Sequence, residues 1–270
     1  MEEESSSADA VRWQCAVCGY IHEGDAPPEV CPQCSSFRSE FSLLGSRGKR
    51  LEFDGKDFDV LLINGSMHTS HNTAAITTMA EGALRQKGVS YRRFDLKNFL
   101  IEHCWCCYSM AERECTYPCR NQNDDMPAFH RMLESSRAVI IVSPINWNNM
   151  PALLKDFLDR TTCLQNMPLI GRESLTSGKV LGIFINGHED GALKTAMDIF
   201  VYFQQMGYVL APFGFGYRTH GAAHRSESDI GFFSSDSKLK SDIYGIVNNV
   251  VEMLKLDPAQ IRNRLKPVSE

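Results

Sequence analysis

The chain has 270 residues, a hydrophobic fraction of 43%, a formal charge of -5 and an isoelectric point near 5.9. That length suits one medium domain plus a small one, with enough apolar content for a core. The acidic balance speaks against nucleic acid or an anionic membrane as a partner, and the longest apolar runs, such as "AVIIVSPI", are too short to span a bilayer.

The chain starts "MEEESSSADA", without the basic start or apolar stretch of a secretory signal. Residues 1–10 therefore read as a disordered tail, and the protein is expected in the cytoplasm. Its cysteines cluster twice, as Cys15, Cys18, Cys31 and Cys34 and then as Cys104, Cys106, Cys107, Cys115 and Cys119. In a reducing compartment such clusters read as metal ligands or redox groups rather than structural disulfides. Cys163 stands apart and reads as a buried apolar residue.

Residues 11–45 are rich in Cys, Pro and Gly and show little hydrophobic periodicity, so a metal has to replace the missing core. Two C-x-x-C pairs, Cys15/Cys18 and Cys31/Cys34, supply four thiolates for tetrahedral coordination of Zn²⁺ or iron. Residues 46–57 are charged, hold two glycines and read as a linker. Fully extended, such a linker reaches at most roughly 40 Å.

From residue 58 the pattern changes. "FDVLLING" reads as a strand, followed by a helix with Ile76, Met79, Ala80, Ala83 and Leu84 on one face and Gly88 as its stop. "SYRRFDL" follows as a strand, "MPAFHRMLESS" as a helix, and "AVIIVSP" as a strand apolar on both faces. "MPALLKDFLDRTT" reads as a helix with Leu153, Leu154, Phe157 and Leu158 inward. "KVLGIFING", the helix around "ALKTAMDIFVYFQQMG" and "VLAPFGFG" continue the alternation. A last amphipathic helix carries Ile243, Ile246, Val247, Val250 and Leu254. Five strands alternating with helices over residues 58–255 imply a three-layer α/β domain with right-handed crossovers, leaving 256–270 as a tail.

The loop "NGSMHTSHNT" lies between the first strand and first helix of this domain. In a doubly wound sheet a ligand phosphate belongs there, against free amides and a favourable helix dipole. The loop matches neither G-x-G-x-x-G nor a Walker sequence. Taken alone, it also suits a hydroxyl-rich helix cap.

Trp13, Cys18-Gly19-Tyr20, Pro27-Pro28, Cys31-Pro32 and the twelve-residue interval between Cys18 and Cys31 make residues 11–45 resemble the short rubredoxin-like module of rubrerythrins. The resemblance implies one iron on Cys15, Cys18, Cys31 and Cys34, with zinc as the alternative. Ser35 departs from it, standing where the pattern usually has Gly, a residue better suited to positive φ.

"GSMHTSHNT", "SPINWNNMPALLKDFLDR" and "INGHEDGA" resemble, in order, three signatures of the NADPH-dependent FMN reductases and their iron–sulfur flavoprotein relatives. This resemblance implies a flavodoxin-like sheet of order 2-1-3-4-5 with FMN at its carboxyl edge. Position by position it implies that Ser66, Met67, His68, Thr69, Asn72 and Thr73 hold the phosphate. Pro144, Ile145, Asn146, Trp147 and Asn148 would border the ring, and Asn186, Gly187 and Glu189 would close its far side. His68 departs from relatives that carry Arg or Lys. NAD(P)H is implied as co-substrate, and no side chain is expected to act as acid, base or nucleophile, because the cofactors carry the chemistry.

The iron–sulfur relatives carry a compact cysteine motif in the "HCWCCYSMAERECTYPC" segment, but here Met110 breaks it. Cys104, Cys107, Cys115 and Cys119 could still enclose a cluster or zinc; free thiols or a redox disulfide are the favoured reading, with Trp105 and Tyr108 walling a substrate pocket. The functional expectation is an FMN-dependent NAD(P)H oxidoreductase. It would exchange electrons between flavin and the N-terminal iron, and with a small-molecule or protein acceptor, as a homodimer. The alternatives are a quinone, nitro or azo reductase with a structural zinc knuckle, and a flavin or thiol redox sensor.

Overall fold

A computed structural model of the protein describes residues 12–15, 20–44, 50–68, 72–187, 191–219 and 236–256. The expected tail at 1–10, all of the expected tail at 256–270 except Leu256, and part of the expected linker, 46–49, lie outside the described residues. The chain divides into two compact units, Met1–Arg50 grouped with His68–Ser70, and Leu51–Met67 grouped with His71–Glu270.

The first unit is a three-stranded antiparallel sheet of β1 (Arg12–Cys15), β2 (Ile21–Glu23) and β3 (Phe41–Leu44), in the order β2-β1-β3. Its core consists of Cys15, Cys31 and Phe41, flanked by Trp13, Tyr20 and Cys34. Trp13 donates its indole N–H to the Gly24 carbonyl at 2.9 Å, tying β1 to the loop after β2. So few apolar side chains are a thin core, as the composition of the segment implies.

The second unit contains β4 (Phe58–Asn64), α1 (Asn72–Lys87), β5 (Tyr91–Asp95), the short α2 (Cys107–Met110), α3 (Met126–Ser135), β6 (Ser136–Pro144), α4 (Ala152–Arg160), α5 (Thr162–Gln165), β7 (Val180–Gly187), α6 (Ala192–Gln205), β8 (Val209–Thr219) and α7 (Ser237–Met253). The strands are parallel in the order β5-β4-β6-β7-β8. This is the 2-1-3-4-5 winding expected from the sequence.

Strand residues alternate between two cores. Leu61, Ile63, Val139, Ile141, Leu181 and Ile183 pack with Phe129, Leu154, Phe157 and Ile199 from α3, α4 and α6. Val60, Leu62, Ile140, Val142 and Phe184 pack with Ile76, Ala80 and Leu84 of α1 and with Ile243, Ile246, Val247 and Val250 of α7. Two buried faces explain the continuous apolar runs of β4 and β6. Among the described residues no helix is long and apolar enough to cross a membrane.

Several boundaries differ from the sequence expectation for local reasons. Gly88 ends the register of α1 at φ +67°, as anticipated. The helix expected from Met150 starts at Ala152, because Pro151 takes the N-cap position in extended geometry, and it breaks after Arg160. β8 runs on to Thr219 through a register shift: Leu181 pairs with Leu210 and Ile183 with Phe215, so residues 211–214 stand opposite Gly182 alone. Phe213 sits in this bulge at φ 51°. The described end of the expected linker is ordered on the second unit. The Leu51 N–H donates to Asp125 Oδ1 at 2.8 Å, and Arg92 lies over the Phe53 and Phe58 rings at 4.9 and 5.1 Å.

Candidate functional site

In the first unit, the Cys31–Cys34 turn brings two thiols back beside Cys15 at the end of β1. The sulfurs of Cys15, Cys31 and Cys34 lie within 4.8 Å of one another, and Cys15 Sγ and Cys34 Sγ are 3.7 Å apart. A tetrahedral ion with metal–sulfur bonds of about 2.3 Å needs sulfur–sulfur edges of about 3.8 Å, so these residues fit such an ion. Cys18 lies outside the described residues.

The second turn is set by Cys31 N–H to Ser36 O at 2.7 Å and Ser35 N–H to Cys31 O at 2.9 Å. Ser35 adopts φ 59°, the left-handed geometry that makes Gly the usual occupant. Ser36 Oγ lies 3.1 Å from both Cys15 Sγ and Cys34 Sγ. The cysteine spacing gave no sign of this third group beside the sulfurs.

In the second unit, β4, β6 and β7 are adjacent and parallel, so the loops after them emerge side by side. Their registers align Asn64 with Val142 and Pro144 with Asn186. The strand order reverses at β4, and ligands of open α/β sheets bind at such switch points. Asn64 receives the Ser66 N–H on Oδ1 at 3.0 Å and donates to Asp95 Oδ1 at 2.9 Å, which fixes the start of the first loop. Ser66 and Thr73 are buried, Met67 is exposed, and His68 and Asn72 are half-exposed. Thr69 lies outside the described residues, as does Glu189 in the third loop.

The second loop closes on itself. The Asn146 N–H donates to Asn149 O at 2.6 Å and the Asn149 N–H to Asn146 O at 3.0 Å, with Trp147 at φ 48° and Asn148 at φ 58° between them. Two positive φ values in a two-residue turn are the pattern of a type I′ hairpin, a geometry suited to Asn and Gly and poorly to Trp. Trp147 is 95% exposed, which excludes a place in the core.

The Ile145 N–H donates to Asn186 O at 2.8 Å, joining the second loop to β7. A Cβ on Gly187 would come within 2.5 Å of Ile145 Cδ1, so only glycine allows this approach. Among the described residues, Asn186 Oδ1 is buried with no hydrogen-bond partner. A buried amide left with acceptor capacity at the carboxyl edge of the sheet fits a bound flavin.

The second cysteine cluster lies on the crossover between β5 and β6. Cys115 is buried, Cys104, Cys107 and Cys119 are half-exposed, and Cys106 is exposed. No three of these sulfurs lie within 4.8 Å of one another, so they do not enclose a single ion in this arrangement. Burial, then the neighbouring thiols, pushes Cys115 up to about 11. A hydrogen bond with Cys163, the Asn121 N–H and the Arg160 guanidinium hold Cys119 below the usual thiol range against its partial burial. Cys163 is buried, as expected, with Sγ 3.6 Å from His130 Nε2.

Sequence reasoning missed the residue that holds this crossover. Arg160, the last residue of α4, pairs with Asp124 where both side chains are fully buried, and donates to Glu102 O at 3.1 Å and Asn121 O at 2.9 Å. Asn166 Nδ2 donates to both Glu112 O and Cys115 O at 2.7 Å. The sole sequence signal was the Asp-Arg ending of the second signature. At the solvent side, His103 Nδ1 meets Asp156 Oδ1 at 2.7 Å, and that carboxylate raises the imidazole above its ordinary pKa.

Comparison with protein families matches residues 58–219 to the NADPH-dependent FMN reductase model. The chain belongs to that family. Residues 13–42 match the rubredoxin-like domain of rubrerythrin. The chain is 50% identical over 36 residues to rubrerythrin from Nitratidesulfovibrio vulgaris, an alignment covering 13% of this chain and 19% of that protein. It is 31% identical over 99 residues to an iron-sulfur flavoprotein from Archaeoglobus fulgidus, covering 36% of this chain and 43% of that one. The chain thus spans less than half the length of either relative.

Among solved structures, RosB with a bound 8-demethyl-8-formylriboflavin-5'-phosphate intermediate superposes with a TM-score of 0.59 at 17% identity, over 78% of this chain and 82% of that one. The NADH:FMN oxidoreductase EMOB in its apo form gives 0.51 at 13% identity, over 76% and 94%. At these identities the likeness concerns the family's flavodoxin-like fold.

Proposed function

We propose that this chain is an FMN-dependent NAD(P)H oxidoreductase that exchanges electrons between flavin and a rubredoxin-type iron in its own N-terminal unit, and passes them to or from a further substrate or partner. The observation that carries the reading is the presence, in one chain, of three thiols spaced for a tetrahedral ion and a reductase-family domain whose carboxyl-edge loops converge. Bound FMN would supply hydride acceptance and one-electron release, linking a two-electron donor to a one-electron metal.

The chain's own residues have positioning work. Ser66, Met67, His68, Thr69, Asn72 and Thr73 would hold the phosphate at the N-terminus of α1, where backbone amides and the helix dipole favour an anion. Pro144, Ile145, Asn146, Trp147 and Asn148 would border the ring. Asn186, whose Oδ1 has no partner among the described residues, Gly187 and Glu189 would close the other side. Cys15, Cys31 and Cys34, with Cys18, would ligate the iron. Cytoplasmic location and a homodimer belong to the same proposal. The dimer is supported by Leu193, Met197 and Val201, exposed at four-residue spacing on one face of α6; a monomer mass by light scattering sinks it.

The decisive experiment is metal analysis of aerobically purified protein, combined with anaerobic NAD(P)H titration that follows flavin and ferric–thiolate absorption separately. The expected result is one iron per chain whose colour bleaches after flavin reduction. A zinc-loaded, yellow protein with full NAD(P)H turnover would replace this reading with a flavin reductase carrying a structural zinc knuckle.

A further inference from the structure

We propose that the Ser36 hydroxyl donates a hydrogen bond to the metal-binding sulfurs of Cys15 and Cys34 and thereby raises the reduction potential of the centre they hold. The proposal rests on the iron reading above and adds to it a residue that no cysteine spacing identifies. Ser36 Oγ is 3.1 Å from each sulfur, and the sulfurs are 3.7 Å apart, so the hydroxyl sits over one edge of the ligand set. Between a hydroxyl and a thiol either atom can donate. Once Cys15 and Cys34 are metal-bound thiolates they carry no proton, so in each of these two contacts the hydroxyl is the donor. Its one proton is shared between the two sulfurs.

The backbone holds the hydroxyl in place. Ser36 O receives the Cys31 N–H at 2.7 Å, Val30 and Phe37 form an antiparallel bridge, and the Arg38 N–H donates to Glu29 O at 2.9 Å. Ser36 is half-buried, which limits competition from water. An O–H dipole aimed at sulfur favours the redox state with more negative charge on the sulfurs, and that is the reduced state. The same bond lowers the energy of the sulfur lone pairs, moving sulfur-to-metal charge transfer to shorter wavelength.

The test uses the full chain with Ser36→Ala and Ser36→Thr, loaded with iron and titrated spectroelectrochemically at equal metal content. Ser36→Ala is expected to shift the reduced-to-oxidised iron ratio at a fixed potential by about tenfold toward oxidised, the scale of losing one charge-assisted hydrogen bond. Its charge-transfer bands should move to longer wavelength, while Ser36→Thr stays with wild type. An unchanged midpoint in Ser36→Ala, or an equal fall in Ser36→Thr, overturns the proposal. Cobalt(II)-substituted protein separates this outcome from failure of the iron reading. If the native ion is zinc, wild-type and Ser36→Ala cobalt bands that differ still support the hydroxyl–sulfur bond, and coincident bands overturn it.

Discussion

Arg160 and Asp124 are both withdrawn from water, so each depends on the other for its charge. Breaking such a pair from one side leaves a buried charge without a partner. Arg160→Met should therefore cost about 3–5 kcal/mol in urea unfolding, and Arg160→Met with Asp124→Leu should recover much of the loss. A single variant as stable as wild type would contradict the assigned role. Its neighbour His130 gives the fold a pH dependence. Burial pushes the imidazole from 6.5 down to about 4, against a stabilising contact between its Nε2 and the Arg160 carbonyl at 2.8 Å. Between those values the unfolded chain binds a proton that the folded chain refuses, so stability rises with pH across the window. It is complete above the unfolded value and falls as the medium is acidified toward the folded one. The loss is on the order of 3 kcal/mol. Comparing unfolding free energies at about pH 7.5 and about pH 4.5, His130→Gln should lose that share of the acid sensitivity.

At the scale of elements, the hairpin after β6 holds Trp147 in left-handed geometry and exposes almost the whole side chain. A non-glycine residue there costs roughly 1–2 kcal/mol, with no burial in return. Trp147→Gly should therefore leave thermal stability unchanged or raised while weakening FMN retention, measured by flavin released on gel filtration; unaltered retention would remove Trp147 from the ring-bordering set. Helix and strand identities were legible in the sequence because two-faced burial writes continuous apolar runs into β4, β6 and β7, and 3.6-residue spacing into α1 and α7. The Cys31–Cys34 turn was legible down to the unusual Ser35. The ordered stretch after Arg50 was not, because its anchors, Asp125 and Arg92, are remote in sequence. Ser36 and Arg160 escaped for the same reason: one gains its meaning from Cys15 across the turn, the other from carbonyls on a distant crossover.

At the scale of the whole molecule, the two units differ in what holds them together. Among the described residues, the first has a core of three buried side chains, two of them cysteines, whereas the second packs two full apolar layers. Structural thiolate sites contribute about 10–16 kcal/mol of binding energy to folding in zinc-finger peptides. Stripping the metal with a chelator should accordingly abolish amide-exchange protection across residues 12–44 and leave the main melting transition of the second unit in place. Retained protection in the stripped protein would show that β1 to β3 stand without an ion. The irregular stretch of β8 has a separate consequence. Among the described residues it lies on the outermost strand of the parallel sheet, where a straight, flat edge would offer a row of amides and carbonyls to any neighbouring chain. By crowding four residues opposite one and turning Phe213 outward, the bulge interrupts that row, so stacking of sheets edge to edge between molecules finds no continuous template.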